Sequence, residues 1–507
     1  MTLDKQWSWP YATFLASTIS LCIVIDILQY SSVLSFLPQS LKDEGYQAHE
    51  ISAVIGSYYW AGFLGGTCIT SWQIRKVIAH KEETLQWSHL RGHVLNLIVG
   101  LMCGSAALTI EGMWPSMAVH FFTRFAQGFL GAFLFFFSFF LSIELFQARS
   151  FQQRIALTMS TMSLHCAEVF GPFFGASIFM RWGPQTVFLT IAGMSCAVQL
   201  LLVGVYFSLP ASDEDLTVMP SMMHETEVLL ARSPKQRRRQ EAKKRWKELQ
   251  NILTSARLWR SVLVVAPAAM IKAALENILP LFADHKLKYN EFEVGLCFTF
   301  IAVSFLTTSV IISFIWGLLS DNGQNWFVTL MMIFLGIISS TLLVSYMYGG
   351  DCNLLIDDLF DATPDCAPYS RSKRFFYLCL VLFGVASAGC FTPAGYLIGD
   401  YIDSLDNAAT KDAANGIWNT LWECGGCFGI ALSGIPSTRS WVQEQILMAN
   451  LGMIIIIAAS TFFWVSMLAD DDDEEESCAM GRHCCLPKEL FSFTPGSGGD
   501  YTPHFSD

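Results

Sequence analysis

The sequence predicts an all-α membrane protein of twelve transmembrane helices in two six-helix halves, and three observations carry that prediction. The 507 residues are 53% hydrophobic and 14% aromatic but only 15% charged, with a mean hydropathy of +0.42, a balance outside the range of soluble domains. Runs of about 20 apolar residues recur, each long enough to cross a roughly 30 Å hydrocarbon core as a helix, and the ten-residue alternation of a membrane barrel is absent. One long polar stretch, Leu209 to Leu258, interrupts them, with six runs before it and six after.

Taken in order, Met1 to Trp9 is short and polar and the first apolar run is full length, so an uncleaved signal-anchor is expected rather than a signal peptide. The N-terminal half, residues 1–208, holds apolar spans at 11–37, 50–73, 93–111, 116–146, 154–180 and 185–208. Residues 209–259 form a linker that is acidic first and then strongly basic. The C-terminal half, 260–468, holds spans at 260–284, 292–319, 325–348, 375–401, 413–435 and 443–468. Residues 469–507 read as an acidic, disordered cytosolic tail, and its unbroken acidic run Asp470 to Glu476 supplies much of the net charge of −12.

With the N-terminus in the cytosol, the loops on that side collect twenty Lys and Arg, ten of them from Arg232 to Arg257, against eight on the other side. The positive-inside bias therefore places both termini and the linker in the cytosol. Cys352 and Cys366 then share a polar loop on the opposite side, where an oxidising compartment would allow a disulfide. The other cysteines are mostly scattered through apolar spans as small hydrophobes, and no metal site is expected. The basic run Lys235 to Lys247 lies against anionic lipid head groups or is a solvated loop. The hexamer Glu225 to Leu230 is similar to acidic dileucine sorting signals, with Glu225, Leu229 and Leu230 as contacts for trafficking adaptors; an endomembrane or vesicle location and the plasma membrane both stay open. Cys484 and Cys485 are either palmitoylated or plain thiols.

Local motifs add to the layout. Arg124-Phe-Ala-Gln127-Gly128 in the fourth span, Gly171-Pro172-Phe-Phe-Gly175-Ala176 in the fifth and Gly317-Leu-Leu-Ser320-Asp321 after the eighth resemble the RxxQG, GPxxGG and GxLSD motifs of the major facilitator transporters. Small residues there let helix backbones approach, and a Pro breaks the hydrogen-bond ladder where a helix bends. The first-half counterpart, Gly65-Gly66 to Arg75-Lys76, keeps the glycines and the basic end and lacks the aspartate. Within that superfamily the chain resembles the vesicular amine and polyamine transporters and drug:proton antiporters, through Leu275-Glu276-Asn-Ile-Leu279-Pro280, Pro393-Ala-Gly395-Tyr396-Leu397 and Trp422-Glu423-Cys-Gly425-Gly426-Cys-Phe-Gly429. The resemblance implies the major facilitator fold, with two halves rocking around a mid-membrane site.

Ionisable residues inside spans are costly and mark ion or solute paths. Asp26 has Gln29 and Tyr30 at i+3 and i+4 on one polar face, and reads as a solute or proton site or as part of a structural salt bridge. Arg124 is available to pair with Asp26, or is a helix-packing anchor. Glu276 lies four residues after Lys272, so the two can pair, a setting that suits a carboxylate loaded and unloaded by a proton. Lys272 itself either neutralises Glu276 or binds an anionic solute. Glu423, beside Trp422 and near Trp418, holds a cationic amine by charge and aromatic face together or makes a polar helix contact. His165 and Glu168 read as a proton relay or a satisfied core pair, and Asp400 as a gate or structural residue.

No Walker A sequence, GxSxG or HExxH is present, so neither an enzyme nor a cofactor is expected, and an ion gradient, of protons, would supply the energy. The expected function is proton-coupled antiport of a small organic, cationic solute by a monomer in a lipid bilayer, without nucleic-acid partners. The alternatives are an uncoupled facilitator or organic-anion carrier using Arg124 and Lys272, and a non-transporting sensor or scaffold of the same fold.

Overall fold

A computed structural model describes residues 8–79, 87–146, 151–209, 246–342, 369–405, 408–434 and 441–479. The helices are α1 (Trp9–Ser31), a short α2 (Leu37–Asp43), α3 (Ala48–Ala79), α4 (Trp87–Met113), α5 (Met117–Glu144) and α6 (Phe151–Ser208). After the linker come α7 (Ala256–Phe282), a π-turn (Ala283–Leu287), α8 (Glu291–Trp316), α9 (Asp321–Leu342), α10 (Tyr369–Ser404), α11 (Ala408–Gly434) and α12 (Trp441–Ala479). Nine helices among the described residues are long and apolar enough to cross a membrane. The fold is that of an all-α, multi-pass membrane protein.

The boundaries follow local chemistry. Pro10 stands in the first turn of α1, where its missing N–H costs nothing. At α8, Asn290 and Glu293 form a capping box: the Asn290 side chain accepts from the Glu293 N–H at 2.9 Å and the Glu293 carboxylate accepts from the Asn290 N–H at 3.0 Å. The expected spans 154–180 and 185–208 are two limbs of α6, bent at Gly183, whose φ of +79° favours glycine. The expected first span, 11–37, is interrupted: α1 ends at Ser31, and tight turns lead into α2. α7 starts at Ala256, four residues before the expected start at 260, and α12 runs on to Ala479 through the acidic run, beyond the expected boundary at 468. The sorting hexamer with Glu225, Leu229 and Leu230, the pair Cys352 and Cys366, and Cys484-Cys485 lie outside the described residues.

Within the halves α1 packs on α6, α3 on α5, α7 on α11 and α9 on α12; between the halves α3 packs on α11 and α6 on α8. α3 and α11 are the two long helices outside the set of nine, and they form one of these two pairs across the halves, where polar side chains have a use. The core divides unevenly. Residues near the end of α1, in α2 and at the start of α3 share one apolar cluster with the whole C-terminal half. The opposite ends of the N-terminal helices, from Ala12 to Leu28 and from Leu134 to Phe146, form a separate cluster. The halves are therefore joined at the face carrying α2, here the far face, and have separate cores toward the face carrying the start of α1, the terminal face.

Close approach rests on glycine. A Cβ at Gly175 or Gly171 would overlap Ser32 or Ser31 of α1, and one at Gly128 would overlap the Tyr58 carbonyl of α3. Where the backbones touch, Ser31 Oγ donates to the Ala167 carbonyl and Ser35 Oγ to the Pro172 carbonyl, both at 2.9 Å. Gly175→Ala is expected to cost about 1–3 kcal/mol through overpacking and to lower the thermal unfolding midpoint in detergent. Gly204→Ala, with no atom within 4 Å of the added methyl, is expected to leave it at or above the parent value.

Candidate functional site

A cavity between the halves is lined by residues of α1, α3, α5, α6, α7 and α11, among them Asp26, Tyr30, Tyr58, Tyr59, Phe135, Phe136, Glu168, Lys272, Trp422 and Glu423. Of the sequence-predicted residues it gathers Asp26, Tyr30, Lys272 and Glu423 directly. Glu276 lies behind them, bonded to three residues of the lining.

Asp26 is buried five residues before the end of α1 and rests over Gly131 of α5, where a Cβ would come 3.0 Å from Oδ1. No hydrogen bond or ion pair to Asp26 is found among the described residues. Glu423 on α11 rests in the same way over Gly62 of α3, at 2.9 Å from a Cβ there to Oε2, and that oxygen is buried without a hydrogen-bond partner among the described residues. Each carboxylate uses a missing side chain on the helix opposite as its room. Trp422 stacks obliquely on Phe391 at 5.0 Å, and Trp418, buried at the seam with α7, donates to Ser261 Oγ at 2.8 Å. Trp418 is thus engaged away from Glu423, and Trp422 is the tryptophan at the cavity.

The second group is saturated. Lys272 Nζ lies 2.5 Å from Glu168 Oε1 and 3.3 Å from Glu276 Oε1. Glu276 Oε2 accepts from the Tyr30 hydroxyl at 2.8 Å and the Tyr59 hydroxyl at 2.6 Å. Tyr58 stacks on Tyr30 with centroids 4.2 Å apart, and Tyr59 meets Tyr30 edge-on at 5.5 Å. The helical spacing that predicted the Lys272–Glu276 pair holds, while Glu168 turns to Lys272. The side chain of His165 lies outside those described.

Arg124 does not pair with Asp26. Its guanidinium makes a bidentate pair with Glu111, Nε to Oε1 at 3.1 Å and Nη2 to Oε2 at 2.8 Å, and Nη1 donates to the Gln29 carbonyl at 2.6 Å. That carbonyl belongs to the last turn of α1, where the chain turns away and Val33 N–H bonds to Tyr30 instead. His120 Nδ1 also meets Glu111 Oε1, at 2.9 Å, and Phe188 packs on both cationic-type side chains. Gln29 departs from the expected polar face as well: its side chain turns to Gly104 of α4 and is absent from the cavity lining. Gln127, one turn after Arg124, is buried with both polar side-chain atoms unpartnered among the described residues. Gly317 caps α8 and Asp321 opens α9 as an exposed first-turn acid, a turn in the place where the motif predicts one. Asp400 is exposed near the end of α10.

Sequence reasoning missed Glu111, His120, Tyr58, Tyr59 and Asn277. Asn277 Nδ2 donates to Ser52 Oγ at 2.9 Å and Ser433 Oγ at 3.0 Å, tying α7 to α3 and α11. A tyrosine pair inside an apolar span and a Glu at a span's edge were the signals available. Cys424 and Cys427 have a CxxC spacing, but they lie inside α11 as free thiols, and no group of three metal-ligating side chains occurs among the described residues.

Two sets of helices, one from each half, thus face each other across a charged cavity. The Major Facilitator Superfamily family model matches residues 19–351, and the chain belongs to that superfamily: it is a transporter, not an enzyme. Among solved structures it is similar to a bacterial homologue of the human lysosomal transporter Spinster, in an inward-facing and unoccupied conformation. That likeness covers 92% of this chain and 99% of the other, with a TM-score of 0.61 and 10% identity, and shows the fold alone. No curated protein matches.

Removing one partner of the Arg124–Glu111 pair leaves the other charge buried, at about 3–5 kcal/mol. Glu111→Ala and Arg124→Ala are each expected to abolish monodisperse protein on size exclusion. Arg124→Lys, which loses the planar fork, is expected to recover only part of it.

Proposed function

We propose that the chain is a proton-coupled antiporter of a small organic cation, with Asp26 and Glu423 holding proton and solute in turn. The observation that carries this is the charge inventory of the cavity. Lys272 is the one cation among its described lining residues, and it is already held by Glu168 and Glu276, whereas Asp26 and Glu423 line the cavity with no ion pair among the described residues. Carboxylates in that setting are costly to carry across bare, so each half-cycle favours a bound proton or a bound cation. Competition between the two makes the exchange obligatory. Tyr30, Tyr58, Tyr59, Phe135, Phe136 and Trp422 give aromatic walls, which attract an ammonium through their ring faces.

The same inventory takes support from the organic-anion alternative, since Arg124 and Lys272 are both spent on carboxylates. The motif likeness to vesicular amine and polyamine transporters agrees with a cationic solute. The remaining parts of the proposal are a monomer in a lipid bilayer with cytosolic termini, driven by a proton gradient without a cofactor, and reached by trafficking adaptors at Glu225, Leu229 and Leu230.

Proteoliposomes carrying an imposed pH gradient and a panel of organic amines and carboxylates test this. Uptake of amines is expected to rise several-fold with the gradient, and carboxylates to stay at background. Asp26→Asn and Glu423→Gln are each expected to lose at least tenfold in gradient-driven uptake while the purified protein stays folded. Amine flux indifferent to the gradient overturns the coupling, and carboxylate flux in its place overturns the sign of the solute.

A further inference from the structure

The bridge around Lys272 is asymmetric in a way that the exchange of proton and solute leaves unused. Lys272 and Glu276 sit on successive turns of α7 in the C-terminal half, and their partners Glu168, Tyr30 and Tyr59 come from α6, α1 and α3 of the N-terminal half. Three hydrogen bonds to three helices thus join one short segment of α7 to the opposite half. Glu276 has both oxygens engaged and is not part of the cavity wall, whereas Glu168 lines the cavity and its side chain is 20% exposed. A cation that enters the cavity therefore meets the bridge at Glu168, at the carboxylate whose Oε1 holds Lys272.

We propose that Glu168 is a solute contact that also releases the bridge: an organic ammonium competes with Lys272 for its carboxylate. The proposal rests on the cationic reading of the cavity. A ligand moves a conformational equilibrium only by as much as its affinity differs between the states. Competition at Glu168 supplies that difference. The solute binds Glu168 at full strength only when Lys272 has let go, so solute binding favours the arrangement in which the halves are less tightly joined at α7. Lys272 stays neutralised by Glu276 four residues on, so no bare cation is left in the bundle. An ordinary structural ion pair would show none of this competition.

The test uses full-length protein in lipid nanodiscs, phenethylammonium as the probe, and hydrogen–deuterium exchange over the turns of α7 around Lys272, which Glu168 ties to α6. In the parent protein the probe is expected to speed exchange there at least threefold. Glu168→Gln is expected to give a similar rise without the probe, no further rise with it, and about tenfold weaker probe binding. Lys272→Gln is expected to give the same rise without the probe while keeping probe binding at or above the parent level, which separates contact from release. Glu168→Asp is expected to keep both parent behaviours in part. Unchanged exchange in Glu168→Gln, or unchanged probe affinity in it, overturns the proposal, as does a parent protein that binds no probe. If gradient-driven amine uptake fails while these exchange and binding results hold, the proton coupling falls and the bridge stands. If uptake holds and Glu168→Gln behaves as the parent, the bridge falls alone.

Discussion

A charge carried into hydrocarbon costs several kcal/mol unless it is paired, hydrogen-bonded or in contact with water, and the placement of charged side chains in this bundle follows that cost. Arg124, at 1% exposure, is matched by Glu111 at 0% and by a backbone carbonyl. Lys272 sits between two carboxylates. Asp26 and Glu423, for which no hydrogen bond or ion pair is found among the described residues, both line the cavity. The charges thus divide into those paired with a neighbouring helix and those that face the cavity with no pair among the described residues, and the division is set by their neighbours rather than by depth in the span.

Those neighbours are delivered by close backbone approach. In lipid there is little hydrophobic drive between helices, so packing and polar contacts must supply it, and small residues allow both. Gly128 brings α5 onto the Tyr58 carbonyl, Gly171 and Gly175 bring α6 onto the end of α1, and Gly425 and Gly429 bring α11 onto the backbone of α7. The consequences reach the site: α1 is held where Tyr30 meets Glu276, and α11 is held where Glu423 faces α3. A glycine motif here acts at a distance of one or two turns from the chemistry it positions.

This explains what was legible in advance. Apolar length and the glycine motifs are local in sequence, and the fold they predict is present. Asp26, Lys272, Glu276 and Glu423 stood out because a charge in an apolar run is conspicuous, and helical spacing alone paired Lys272 with Glu276. Spacing says nothing about which neighbouring helix a face meets: it puts Gln29 beside Asp26, although Gln29 turns to α4, and it leaves Arg124 open to Asp26, although Glu111 holds it. The break of α1 at Ser31 was hidden because the residues that follow, Ser32 to Leu37, are as apolar and small as a continuing helix would be. Tyr58 and Tyr59 carry no formal charge and looked like ordinary span residues.

The distribution of contacts between the halves bears on how the bundle can rearrange. The far face is closed by a shared apolar cluster, by the neutral hydrogen bond from Asn277 to Ser52, and by the partly exposed pair Lys42–Asp284 at 2.5 Å. Neutral hydrogen bonds are each worth about 1 kcal/mol net, and an exposed ion pair about 0–1 kcal/mol. The bidentate pair of Arg124 with Glu111 lies wholly within the N-terminal half. The polar contacts of the far face are individually weak, whereas the bridge from Lys272 to Glu168, with Tyr30 and Tyr59 on Glu276, is a charged contact that crosses the halves. The seam between the halves thus combines many weak contacts with one charged bridge, and that bridge stands where two acids share a single lysine.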